Sequence, residues 1–311
     1  MHILIVGATG FIGRALVDRL KDNHQLTILI RRQLRTKDPL NQHTTLDVST
    51  LQQSAEALMP SFDAIINLAG ENVGAKRWSK KRKKALLDSR INSTHTIMQL
   101  CQKQQVKPLI INANGIGIYG HSDPSQVEPF TEESSLDHEN RDYMIQLAQK
   151  WEHAVYSNAQ LDQRIVTLRT AVVCDPSGGA LKKMSLIFKL CLGGRLGKGD
   201  QPFPWISLRD ATRAIEFILD HPDIHGPVNL VAPNIISQQE LAKAYARFLR
   251  RPAWLSTPGI LIKLLYGEMG SSLLLKGQKA WPKKLLDHEF KFSDNTVTEA
   301  LNYSKKRKKV T

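Results

Sequence analysis

Ile3-Leu4-Ile5-Val6 runs directly into Gly7-Ala8-Thr9-Gly10-Phe11-Ile12-Gly13. The first four residues are bulky and apolar, as in a strand buried on both faces. The next seven place glycine at the first, fourth and seventh positions. Beyond them, Phe11, Leu16, Val17 and Leu20 are apolar while Arg14, Asp18, Arg19 and Lys21 are polar, which predicts an amphipathic helix. Leu26 to Ile30 reads as a second buried strand, closed by Arg31-Arg32. Strand, glycine turn, helix and strand in that order form the first half of a dinucleotide-binding fold.

Each glycine has a physical task. Gly7 lets the strand turn without a Cβ clash, Gly10 lets backbone N–H groups approach a pyrophosphate, and Gly13 lets the helix lie close to the sheet. The helix N-terminus then offers free donors and the positive end of its dipole. Thr9, Phe11 and Ile12 complete the expected binding segment. A tight turn without ligand is the plain alternative. An acid after the second strand would suit the ribose 2′-hydroxyl of NAD, whereas the Arg31-Arg32 pair suits a 2′-phosphate, so NADP is the expected cofactor. Arg35 and Lys37 follow, and a solvated basic loop is the competing reading.

The pattern continues along the chain. Thr44 to Val48 reads as a third strand, with Asp47 placed to accept from an adenine amino group or to cap the next helix. Ala64 to Leu68 is a fourth, followed by Ala69-Gly70-Glu71-Asn72. Asn67, Leu68, Ala69, Gly70 and Glu71 lie where ribose and nicotinamide would approach the backbone. Arg90, in the helical stretch ending near Gln105, would reach the phosphates or pair near Asp88. Leu109 to Asn112, Ile165 to Val173 and Pro227 to Val231 are three more strands, with a helix from Ala211 to Leu219. This alternation predicts an α/β fold, a doubly wound parallel (Rossmann) sheet with a smaller C-terminal cap. The Rossmann domain is expected over 1–175 plus 205–232, the cap over 176–204 plus 233–302, and a basic disordered tail over 303–311. A small-molecule substrate would lie between the two parts.

Charge and composition narrow the class. The 311 residues carry a formal charge of +14 and are 41% hydrophobic. Seven basic residues fall within 76–84 and five within 305–309, so the rest of the chain carries only +2. The first cluster is expected to open a helix on its wet face, which makes nucleic acid an unlikely partner. No apolar run approaches the ~18 residues of a membrane helix, and no leader precedes the first strand, so no membrane partner is expected. Three scattered cysteines fit a cytoplasmic protein. The ten histidines lack metal-ligand spacing, so no metal is expected. The assembly is expected to be a monomer or homodimer. In the insertion, Arg195, Lys198 and Arg209 flank Trp205 as a basic lip suited to an anionic substrate such as a nucleotide sugar, or to a solvated loop.

The glycine turn, Asn67-Leu68-Ala69-Gly70-Glu71-Asn72, Tyr119-Gly120, Lys150-Trp151-Glu152 and Trp205-Ile206-Ser207-Leu208-Arg209-Asp210 resemble an atypical branch of the extended short-chain dehydrogenase/reductases. This is the bacterial and mitochondrial "epimerase family protein" group. Leu273-Leu274-Leu275-x-Gly277-Gln278-Lys279-x-x-Pro282 and Phe290-x-Phe292 resemble its C-terminal segment of unknown function. The resemblance spans residues 1 to about 302 and implies a Rossmann fold, with Gly7 to Gly13, Arg31, Asn67-Leu68 and Arg90 around NADP(H).

The expected chemistry is less plain. The wider superfamily removes a hydroxyl proton with a Tyr whose pKa is lowered by a Lys four residues on. Here the six tyrosines are followed at that distance by Asp123, Leu147, Gln160, Leu249, Gly270 and Arg307. Where close relatives carry hydroxyl residues before Tyr119-Gly120, this chain reads Asn114-Gly115-Ile116. Candidates for the catalytic work are Tyr143 (a position where relatives can carry Phe), Tyr119 and Asn114, whose amide could polarise a carbonyl. Packing and turn formation are their alternative roles. Two functions follow: an NADP(H)-dependent oxidoreductase or epimerase-like enzyme, or a non-catalytic NADP(H) redox sensor.

Overall fold

The computed structural model describes residues 1–30, 34–47, 61–103, 105–123 and 125–310, with side chains to 305. Strands β1 (His2–Val6), β2 (Gln25–Ile30), β3 (Thr44–Asp47), β4 (Ala64–Asn67), β5 (Leu109–Gly115) and β6 (Ile165–Thr170) come first. The shorter β7 (Val172–Cys174), β8 (Gly194–Leu196), β9 (Pro202–Phe203) and β10 (Trp205–Ser207) follow, then β11 (Gly226–Leu230), β12 (Ile236–Ser237) and β13 (Leu255–Thr257). Seven of them form one parallel sheet in the order β11-β6-β5-β4-β1-β2-β3. The order reverses beside β1, between β1 and β4, which creates the crevice at which doubly wound sheets bind ligands.

Helices cover both faces of the sheet. On one side α1 (Phe11–Leu20) packs with the later helix Leu208–Asp220, burying Ile3, Ile5, Ile28, Ile66 and Leu168. On the other, α2 (Lys80–Lys103) and α3 (Tyr143–Tyr156) cover Leu4, Val6, Ile65 and Ile110. The alternating side chains of β1 therefore enter two separate cores, which explains why its sequence is apolar from Ile3 to Val6. Burying each such side chain contributes about 1.5–3 kcal/mol.

The remaining helices are α4 (Gly179–Lys189), α5 (Leu208–Asp220), α6 (Gln238–Leu249), α7 (Gly259–Leu274), α8 (Lys283–Asp287) and α9 (Val297–Val310). Leu181, Phe188, Trp205, Ile236, Leu241 and Tyr245 share a second core with Val297 and Leu301. Part of the stretch expected as the cap lies elsewhere. Leu285 and Phe290 pack in the main sheet core, so the chain leaves the cap after α7 and returns to the sheet. The short range of sequence patterns conceals this return. The tail also departs from expectation: helix α9 runs through it, Ser304 is buried, and Arg209 stacks on the Tyr303 ring at 4.0 Å.

Asp210 fastens the returning segment. Its buried carboxylate accepts from Ser293 N at 3.0 Å and Asp294 N at 2.8 Å, and pairs with Arg213 at 2.8 Å. Asp210→Ala strands these donors and should cost about 3 kcal/mol or more of stability. Denaturant unfolding measures the loss, and proteolysis should become fastest around residues 288–296.

Candidate functional site

The first strand ends at Gly7, whose φ of +86° suits glycine. A Cβ there would lie 2.8 Å from the Leu68 carbonyl carbon, because the end of β4 crosses directly behind it. Leu68 N donates to Val6 O at 2.8 Å, holding the two carboxyl ends together. A Cβ on Gly13 would lie 2.3 Å from Gly7 O, so α1 rests on the turn itself. Gly10 N donates back to Gly7 O at 2.9 Å. Gly10 caps α1 with no side-chain hydrogen bond, and Thr9 and Gly10 are exposed. The first turn of α1 thus has no side-chain cap.

Phe11 seals one flank. Its ring fits against Gly178 and Gly179, where a Cβ on Gly178 would come within 2.1 Å of it. Arg14 braces the other flank with a two-pronged pair to Asp38 at 2.9 and 2.7 Å, which holds the Asp38 carboxyl down at about 2. Ile12 is half-buried beside the main core. Asp47 ends β3 in register with Ile30. Arg31 and Arg32, on which the choice of NADP rests, lie outside the described residues, as does Val48.

The segment after β4 is held by polar bonds. Buried Asn67 donates to Asn112 Oδ1 at 2.7 Å and accepts from Ala69 N at 3.2 Å. Glu71 N donates to Ser89 Oγ at 3.1 Å, and the Glu71 carboxylate pairs with Arg82. Arg90 donates to Leu86 O at 2.9 Å and Glu71 O at 3.1 Å, and lies over the Trp151 ring. Burial lowers its pKa to about 10, which leaves it charged at neutral pH. Its guanidinium lies beside Gly70, where a Cβ would approach it to 3.2 Å. Ala69 and Leu68 stay half-buried and Gly70 exposed, at the edge of the crevice.

The three proposed catalytic side chains are not brought together. Tyr119 and Asn114 enter one buried cluster behind the crevice. Arg169 donates to Glu152 Oε1 at 2.7 Å and to the Tyr119 hydroxyl at 2.7 Å, and Tyr119 donates to Asn229 at 2.8 Å. Asn114 donates to Glu152 Oε2 at 2.9 Å and accepts from Gly115 N. Burial pushes the Tyr119 phenol up to about 12, against the pull of Arg169. Both groups are buried and hydrogen-bonded to partners within the protein. Tyr143 stands apart. It donates to Lys83 O at 2.9 Å, with its ring edge-on to Trp78 and under the Lys83 ammonium. Lys150 has no part in these contacts.

The basic lip is corrected. Trp205 is fully buried and donates to Asn234 O at 2.8 Å, while Arg209 pairs with Asp294 at 2.6 Å. The alternation around residue 205 places the ring in the cap core. Sequence reading also missed what the 76–84 cluster does. Arg82 holds Glu71, and Lys83 pairs with Glu268 of α7 at 2.6 Å, so two of its cations tie the crevice loop to the cap. Lys183 of α4 adds a bond to Gly74 O at 2.9 Å. Nothing in a run of lysines announces such partners. Among the described residues, no group of three or more His, Cys, Asp or Glu could hold a metal.

The sheet order and the open glycine turn define a dinucleotide-binding α/β protein. Comparison with known proteins narrows the class. Residues 3–231 match the NAD dependent epimerase/dehydratase family, and residues 257–303 match a domain of unknown function, DUF1731. The chain belongs to that epimerase/dehydratase family. It is 36% identical to the epimerase family protein YfhF of Bacillus subtilis over 306 residues, covering 97% of each chain. It is 34% identical to the epimerase family protein MT2273 of Mycobacterium tuberculosis, covering 98% of each. Among solved structures, that of the human epimerase family protein SDR39U1 (isoform 2) with NADPH superposes with a TM-score of 0.85 at 30% identity, covering 98% of this chain and 99% of that one.

The cluster behind the crevice gives a direct test. Glu152→Ala leaves the buried Arg169 cation without its carboxylate and should cost about 3–5 kcal/mol. Urea unfolding measures it, and Glu152→Gln, which keeps an acceptor, should lose less.

Proposed function

We propose that the chain binds NADP(H) at the glycine turn and acts as an oxidoreductase or epimerase-like enzyme on a small molecule. The observation that carries this reading is the uncapped start of α1, whose donors face outward between Gly7 and the end of β4. The segment from Gly7 to Ile12 would hold the pyrophosphate, Asp47 the adenine side, and Asn67 to Glu71 the ribose and nicotinamide side. Two arginines directly follow β2, as a 2′-phosphate requires. The structure of the human relative SDR39U1 contains NADPH. Bound coenzyme supplies hydride transfer. Nucleotide sugars are the substrate class to try first, because the family is one of epimerases and dehydratases.

Tyr143 is the remaining candidate for the proton. Its hydroxyl is bound by a backbone carbonyl, so a substrate oxygen can replace that partner without stranding a buried charge. Burial raises the phenol above its ordinary value, so the group is protonated at neutral pH and is a weak acid toward a carbonyl oxygen. A raised acid of this kind keeps the rate flat through neutrality, and the rate falls only as alkaline pH removes the proton.

A sensor without catalysis is the second reading. It is favoured by the mutual engagement of Tyr119, Asn114, Glu152 and Arg169, and by the lack of a Tyr with Lys four residues on. NADPH fluorescence in the presence of carbonyl compounds and nucleotide sugars separates the two. Oxidation by any of them ends the sensor reading; tight binding with no oxidation by the whole panel supports it. For an active substrate, Tyr143→Phe should lower turnover by about a hundredfold with NADPH affinity unchanged. Unchanged turnover would remove Tyr143 from the proton step.

Cofactor binding has its own test. Gly10 has φ −76°, which alanine can adopt, but its Cβ would lie 3.1 Å from the Gly7 carbonyl oxygen. Alanine there should weaken NADPH about tenfold or more by crowding the phosphate and tightening the turn, with a small drop in melting temperature. Arg31→Ala should weaken NADPH far more than NADH, and equal losses would refute the 2′-phosphate assignment.

A further inference from the structure

Two stretches of the cap form one face with an unusual composition. Residues 179–198 and 250–267 meet through the parallel pair β8–β13, where Leu255 lies beside Gly194 and Thr257 beside Leu196. Together they carry eight Lys or Arg and no Asp or Glu. They also carry eleven of the seventeen exposed large apolar side chains among the described residues. Ile260 is 82% exposed, Trp254 81%, Leu264 71% and Leu186 67%. Patches of this kind are rare on soluble surfaces and mark interaction sites.

The first half of α7 is built as an arm. Between Gly259 and Tyr266 only Ile262 is buried. Gly267, at φ +60° and ψ −140°, then breaks the helix, and Met269, Gly270 and Ser272 are buried beyond it. Ile260, Leu261, Leu264 and Leu265 therefore project from a segment held by one side chain and a kink. At the far end of the arm, the Arg77 guanidinium lies against Gly267, which brings the 76–84 basic cluster to the same border.

We propose that this face docks on an anionic lipid surface, with Trp254 and the Ile260–Leu265 arm entering the headgroup region. Exposed apolar groups on stretches that also carry lysine and arginine match such a surface: the chains bury in the acyl boundary while the cations meet acidic headgroups. An indole at the rim suits the polar–apolar boundary. A two-fold contact with a second copy is disfavoured, since it would set this face against itself, cation to cation, with no carboxylate on the two stretches to pair them. The arm lies on the surface in this account. Among the described residues no helix is long and apolar enough to cross a membrane.

The test uses the full chain with NADPH bound, sedimented with vesicles of phosphatidylcholine alone or mixed with phosphatidylglycerol. Retention should be about tenfold or more greater on the mixed vesicles and should fall with added salt. The double variant Ile260→Glu, Leu264→Glu should lose it while keeping its melting temperature and NADPH binding, because both positions are exposed. Equal retention on the two vesicles, or none, overturns the proposal. So does retention unchanged in the double variant, which would reduce binding to charge alone. A wild-type dimer in light scattering that the double variant converts to monomer, without vesicle binding, assigns the face to a second copy instead.

Discussion

The structure depends on how closely three backbone segments meet at the first turn. Gly7 O lies against the start of α1, and the Leu68 backbone lies behind Gly7, at separations that admit no Cβ at position 7 or 13. This contact sets the angle at which α1 leaves the sheet and keeps its N-terminus open. It also fixes where β4 delivers Asn67 to Glu71. A side chain at either glycine would have to push the helix or β4 away and so disturb the crevice from both sides.

A second constraint is the burial of polar groups behind that crevice. Asn67 with Asn112, and Glu152 with Arg169, Tyr119 and Asn114, are satisfied within the protein. Such networks are expensive to leave half-made, so they hold the ends of β4, β5 and β6 in one arrangement. They also engage the Tyr119 hydroxyl and the Asn114 amide in hydrogen bonds within the protein.

Much of the architecture was legible because buried parallel strands and amphipathic helices leave strong periodic signals. The helix beginning at Phe11 and the strand beginning at Thr44 fall where the pattern puts them. The glycine turn was legible because its constraint is local. What escaped depends on partners distant in sequence. Trp205 looked like an exposed plate until the cap core closed over it, and the return of Leu285 and Phe290 to the sheet has no local signature. Arg82 and Lys83 read as part of a solvated run, yet their partners are Glu71 and a carboxylate on α7.

The central claim is that the open start of α1 receives the phosphates of a nicotinamide dinucleotide. Hydrogen exchange of the backbone amides from Gly10 to Arg14, with and without NADPH, tests it most directly. The account predicts that coenzyme slows exchange at these amides and at Ala69 and Gly70. NADPH that binds elsewhere and leaves this turn unprotected, or a folded chain with no affinity for NADPH at all, would contradict it.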